Sequence, residues 1–230
     1  MNESHSTFDD VETLNQRVQR TTEAARAYAA FTVTTARYPT EIQQLAGNVT
    51  AAILYTSIGI GNEVGELAEL FTPTHLLTHD KDRFAEAWKE LGDVQWYVAR
   101  MCAESDRLPR FDLMVMRAMQ RLRDGLHWAN PRLTGRDLSI LLCIQSGRVL
   151  GVVKKMMRDG ATWDDNKVAS KTAELTEALQ EIVNLSAEYA EESGARLDFQ
   201  GGYSALLESN RDKLSGRLER GTLQGDGDVR

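Results

Sequence analysis

Apolar residues return every three or four positions along most of the chain, the spacing of helices that bury one face. From about Phe8 to Thr35, the residues Val11, Leu14, Val18, Ala25 and Tyr28 keep that spacing. Pro39 interrupts it, and a second helix is predicted from Thr40 to Leu70, with Ile42, Leu45, Val49 and Ile53 on its stripe. Phe71 to Asp82 reads as a connection, marked by Thr72-Pro73. Arg83 to Glu104 predicts a third helix that buries Phe84, Ala87, Leu91, Val94, Val98 and Met101. Pro109 and Pro131 bracket a fourth, with Met116, Met119, Leu122 and Leu126 on its apolar stripe. Thr134-x-x-Asp137 resembles a helix-start signal for a fifth helix over Leu138 to Arg158, which Gly160 should stop. A sixth helix is expected over Val168 to about Ser193 and a last one from Tyr203 to about Arg220, before an irregular GTLQGDGDVR tail. No segment asks for β structure, so the expected fold class is all-α.

Three glycines, Gly59, Gly61 and Gly65, punctuate the second predicted helix. Two readings stay open: a locally loose backbone, or close approach of another helix or a ligand.

The composition narrows the function more than the fold. With 230 residues, 42% of them apolar and 27% charged, the chain can bury a substantial core as one domain or two. A net charge of −7 offers no basic footprint for nucleic acid. Nothing approaches the ~18 continuous apolar residues of a membrane span, and the opening MNESHSTFDDVE has no apolar signal core. A cytoplasmic protein is expected, with Cys102 and Cys143 as buried free thiols.

The chemistry lies in acidic pairs. Glu63-x-x-Glu66 and Glu90-x-x-Asp93 each place two carboxylates on one helix face. Two such helices packed antiparallel would gather four carboxylates, which repel at neutral pH unless a cation sits among them. Mg²⁺ or Mn²⁺, hard ions with oxygen ligands, suit such a set. A solvated acidic face is the plain alternative. However, Glu90 and Asp93 lie beside the buried stripe, and Val94 and Tyr97 follow them at i+4 where a salt-bridging lysine would stand. The histidines His5, His75, His79 and His127 form no ligand pattern, and the Glu-x-x-His pairs of a di-iron bundle are absent.

The second half can be laid on the first. Glu63-Val-Gly-Glu66 falls on Gln145-Ser-Gly-Arg148 at an offset of 82, and Glu90-Leu-Gly-Asp93 falls on Glu181-Ile-Val-Asn184 at an offset of 91. This suggests an internal duplication.

GIGNEVGELAEL and KELGDVQWYVA, with ExxE followed about two dozen residues later by ExxD, resemble the signature of the MazG-like all-α nucleoside triphosphate pyrophosphohydrolases. The likeness covers Tyr38 to Ala103, and Asn210 to Arg230 resembles the ending of many phage and bacterial members. That family often has a further Glu before ExxE, where this chain has Asn62. The resemblance implies a helical bundle forming a single all-α unit over 1–230, a dimer fused into one polypeptide. Residues 38–108 would be the competent half, 134–200 a degenerate repeat, and 203–230 a C-terminal helix and tail that contribute to the site. It implies hydrolysis of an NTP or dNTP to the monophosphate and pyrophosphate. Glu63, Glu66, Glu90 and Asp93 would be catalytic and would hold Mg²⁺ or Mn²⁺. Lys213, Arg217 and Arg230 would meet phosphates, Asn210 the sugar or a phosphate, and Tyr97 the base. In the second half Gln145, Arg148 and Asn184 depart from the ligand pattern. A catalytically weak nucleotide sensor and a helical interaction protein are the rival readings. The chain could stop at one copy or pair again as a homodimer of pseudo-dimers.

Overall fold

The computed structural model describes residues 8–36, 49–72, 80–127, 133–194 and 202–222. They fold into α1 (Phe8–Thr35), α2 (Ala51–Leu70), α3 (Asp80–Ala103), α4 (Phe111–Arg123), α5 (Gly135–Asp159), α6 (Asp165–Gly194) and α7 (Gly202–Glu219), with a 3-10 turn at Gly160–Thr162. No strand occurs among the described residues, so the all-α expectation holds.

Local chemistry sets several helix ends. Thr50 has extended backbone (φ −83°, ψ 161°), and its hydroxyl accepts from the Ile53 amide at 3.2 Å, which caps α2. The single helix expected from Thr40 is therefore corrected: α2 begins at Ala51, and Val49 lies before the cap as a buried non-helical residue. Thr134 and Asp137 form the full capping box of α5, with Asp137 N–H to Thr134 Oγ1 at 3.1 Å and Thr134 N–H to Asp137 Oδ2 at 3.3 Å. α4 ends at Arg123 because Gly125 takes a left-handed φ of 73° and the Leu126 amide closes back on the Arg121 carbonyl at 3.0 Å. Leu126, expected on the buried stripe, is thereby turned out and is 59% exposed. Cys143 is likewise exposed, on the side of α5 that carries the exposed Ile140 and Ile144, whereas Cys102 is buried as expected.

The helices pack as two hairpins, α2 on α3 and α5 on α6, joined where α2 lies against α5. α1 packs on α4, and α7 lies across α1, α3 and α6. One apolar core runs through all of them and includes Ile60, Leu67, Leu91, Phe111, Leu142 and Ile182. Buried polar side chains cross it in pairs. Tyr203 Oη donates to Gln95 Oε1 at 2.5 Å, and Gln95 Nε2 donates to Ser186 Oγ at 2.9 Å, which links α7, α3 and α6. Trp96 Nε1 donates to Thr35 Oγ1 at 2.8 Å and holds α3 to the end of α1.

The open question of the glycines is settled position by position. A Cβ on Gly59 would lie 2.2 Å from the Tyr97 ring, so α3 packs directly on the α2 backbone there. One on Gly61 would stand 3.2 Å from Leu150 of α5, and one on Gly65 would meet nothing within 4 Å. Close approach explains the first two glycines and leaves the third unconstrained. No described helix is long and apolar enough to cross a membrane. Pro39, Ile42, Leu45, Pro131, His5, His75, His79 and Arg230 lie outside the described residues, as does the side chain of Val11.

Candidate metal centre

Residue numbers rise along α2 as they fall along α3, and Tyr97 resting on Gly59 sets the register. That register brings Glu63 opposite Glu90 and Asp93. One carboxylate oxygen from each of the three lies within 4.8 Å of the others. Glu66 stands outside this group. Its carboxylate accepts from Asn62 Nδ2 at 2.7 Å, yet its charge is near enough to act on both Glu63 and Glu90.

The electrostatics follow from packing like charges beside a core. Burial, then the charges of Asp93, Glu66 and Glu90, push the Glu63 carboxyl up to about 8, against a partial offset from Asn62. Burial, then Asp93 and Glu66, push Glu90 up to about 7, and Lys213 pulls the other way. Both groups thus hold protons at a pH where an ordinary glutamate has lost them.

α7 brings a cation onto the cluster. Lys213 Nζ pairs with Asp93 Oδ2, and Asn210 Nδ2 donates to Asp93 Oδ1 at 2.6 Å. Asn210 is 4% exposed, and its carbonyl accepts from Tyr28 Oη at 2.6 Å. Tyr28 Oη also lies 3.2 Å from the Gly92 carbonyl. Burial, then Asp93 and Tyr203, raise the Tyr28 phenol well above its ordinary value, so it stays a donor. Gly92 makes this approach possible, because a Cβ there would sit 2.9 Å from that of Asn210. Arg217 lies one helical turn beyond Lys213 on the same face of α7.

Tyr97 is half-buried beside the cluster, with its ring 6.0 Å from Tyr55 and 4.9 Å edge-on from Trp96. Burial, then the neighbouring Tyr55 and Glu63, raise its phenol far above the usual range.

Of the residues singled out in the sequence, Glu63, Glu90, Asp93, Asn210 and Lys213 come together. Glu66 and Tyr97 adjoin them. Asn210 has its amide engaged within the protein, by Asp93 and Tyr28. Tyr28 and Gly92 are contributors that sequence reasoning passed over. Tyr28 sits on an apolar stripe where an aromatic reads as core, and no local pattern signals that Gly92 faces another helix.

The positions that offsets of 82 and 91 would set against these carry a different set. Arg148 Nη1 donates to the Gln145 carbonyl oxygen at 3.0 Å and pairs with Glu177 at 3.6 Å. Asn184 accepts from Gln180 at 3.0 Å, and Glu181 lies 3.9 Å from Arg121. Among the described residues these positions form no carboxylate cluster.

Comparison with protein families, with curated proteins and with solved structures gives no match. Fold and site together define an all-α protein with a carboxylate cluster built on two consecutive helices and buttressed by a third.

The donor set fits a hard divalent cation. It consists of carboxylate oxygens alone, with Glu63 and Glu90 raised in proton affinity by burial and then by neighbouring charge, and with an ammonium already drawn to Asp93.

Proposed function

We propose that the chain is a Mg²⁺-dependent nucleoside triphosphate pyrophosphohydrolase of MazG-like type, converting an NTP or dNTP and water to the monophosphate and pyrophosphate. One observation carries the reading: Glu63, Glu90 and Asp93 converge from two helices to within 4.8 Å while α7 delivers Lys213 onto Asp93. Glu63, Glu90 and Asp93, with Glu66 alongside, would hold Mg²⁺, or Mn²⁺ in its place. When bound, the ion neutralises triphosphate charge and makes water a better nucleophile.

The chain's own groups supply the remainder. The water oxygen forms a bond to the α-phosphorus, the bond from that phosphorus to the bridging oxygen breaks, and pyrophosphate leaves with the electron pair. Once a bound cation has drawn its proton off, the ionised Glu63 carboxylate would accept the proton the water gives up. Lys213 and Arg217 present positive charge to the phosphates from one face of α7. Tyr28 and Asn210 hold Asp93 in place. Tyr97 and Tyr55 form an aromatic wall beside Glu63, suited to a base.

The duplicated-half reading draws support from the axis such a duplication requires. Under the offset of 91, Gln95 and Ser186 are equivalents, and these two side chains hydrogen-bond to each other. A two-fold axis between the halves would bring such equivalent residues together. The pairing of α2–α3 with α5–α6 follows the same relation. One half would then be the competent one and the other its support.

Pyrophosphate release from a panel of NTPs and dNTPs, with Mg²⁺ or Mn²⁺, tests the proposal. Metal-dependent release that falls by about 10²-fold or more in Glu63→Gln is expected. Nucleotide-dependent thermal stabilisation without product would identify a catalytically weak sensor. Neither effect would leave a helical interaction protein.

A further inference from the structure

Glu188 and Glu192 stand four residues apart near the end of α6, on one face of the helix and outside the cluster described above. Glu188 is only 1% exposed. His127 faces them from just past the turn that ends α4. That turn is well braced: Gly125 is left-handed, the Leu126 amide donates to the Arg121 carbonyl at 3.0 Å, and Arg121 Nε donates back to the Leu126 carbonyl at 3.0 Å. One donor atom each from His127, Glu188 and Glu192 lies within 4.8 Å of the other two, with His127 Nδ1 4.0 Å from Glu188 Oε1.

A second observation is independent of those distances. All three residues line a cavity of about 200 Å³ whose other walls include Leu14, Val18, Met119 and Leu122. Two arginines also border it, but Arg17 pairs with Glu191 at 3.3 Å, and Arg123 bonds Asp124 at 2.9 Å and Asn15 at 3.1 Å.

The geometry points to a second metal site, of a different class from the first: His127, Glu188 and Glu192 bind a divalent transition metal of the zinc type. The imidazole decides the class, since Mg²⁺ and Ca²⁺ take oxygen donors, whereas one nitrogen with two carboxylates suits Zn²⁺. In a four-coordinate site with bonds of about 2.0–2.1 Å, donors sit about 3.4 Å apart. Closing the difference takes rotation of the His127 side chain, 44% exposed, together with that of the part-buried Glu192. The fourth position opens onto the cavity and takes water or one small oxygen ligand. The ion ties the end of α4 to α6, and the site stands independently of the hydrolase reading.

Zn²⁺ titration of the full chain in a large excess of Mg²⁺ tests the site, with Co²⁺ as a spectroscopic probe. One equivalent of Zn²⁺ is expected to bind, and Co²⁺ to give the intense visible absorption of a four-coordinate centre. His127→Ala should weaken Zn²⁺ binding by about tenfold or more and abolish the absorption, while Asp93→Asn leaves both in place. Because His127 is exposed, its variant should keep the helical circular dichroism of the parent. Glu192→Gln provides a second variant with the same expected loss. No Zn²⁺ binding under Mg²⁺, binding and spectrum unchanged in both variants, or loss in Asp93→Asn instead would each overturn the proposal.

Discussion

Asp93 is held by two neighbours, Lys213, which neutralises it, and Asn210, which orients it, and Tyr28 in turn orients Asn210. Removing the Tyr28 hydroxyl leaves the buried Asn210 carbonyl without that donor, and an unsatisfied buried acceptor costs about 1–3 kcal/mol. Tyr28→Phe is expected to lose stability of that order in urea unfolding and to lower pyrophosphate release, although Tyr28 touches no carboxylate. The two raised carboxyls give a pH signature of defined sign. Glu63 rises from 4.5 to about 8 and Glu90 from 4.5 to about 7, so the folded state binds protons more tightly than the unfolded chain. Stability is then fully present below the unfolded value and falls as pH rises toward the folded ones. Metal-free protein should show a falling Tm from about pH 5 to pH 8, and Glu63→Gln should flatten the slope. Added Mg²⁺ should restore Tm most at the alkaline end, where the ionised ligands favour it.

Between elements, the glycines report how closely helices meet. Gly92→Ala forces a methyl to 2.9 Å from Asn210 Cβ, and α7 has to retreat. The overpacking cost of about 1–3 kcal/mol exceeds the roughly 1 kcal/mol gained in helix propensity. Net destabilisation is expected, with loss of turnover as Asn210 and Lys213 leave Asp93. Gly65→Ala is the control, since its methyl meets nothing within 4 Å in the same kind of helix. It should stabilise by up to about 1 kcal/mol in the same unfolding assay. At the start of α5, Thr134→Ala removes the capping box and should cost about 1 kcal/mol.

At the scale of the whole molecule, the two hairpins share one core rather than forming separate domains. Trp88 and Trp96 report from α3, and Trp163 packs against the core where the 3-10 turn after α5 ends. Tryptophan fluorescence and helical circular dichroism should therefore give coincident urea transitions. Two resolved transitions would mean that the halves fold separately, against the continuous core and the Gln95–Ser186 bond that spans it.

Much of this architecture was legible in the chain because helices announce themselves locally. The stripe Ala87, Leu91, Val94, Val98 and Met101 is buried as its spacing implies, and Thr134 with Asp137 starts α5 as its chemistry implies. The acidic pairs were also visible, since i,i+3 spacing alone puts Glu90 and Asp93 on one face. Boundaries were less so. Val49 has the residue type and spacing of a helical stripe, and only the Thr50 cap, which satisfies the first amides of α2, separates it from that helix.

What no local pattern determines is which faces meet. Glu63 joins Glu90 and Asp93 while Glu66 turns to Asn62, because the packing of Tyr97 on Gly59 sets the rotation of α2 against α3. Asn210 reaches Asp93 across more than a hundred residues only where Gly92 lets two helices touch. His127, without pattern in the sequence, gains two carboxylate neighbours from a helix sixty residues on. Periodicity and capping act over one or two turns, so the sequence by itself determined seven helices and their chemistry-bearing faces. Contacts between helices depend on the shapes of surfaces distant in the chain, so the tertiary structure alone decided which charges had to share a site.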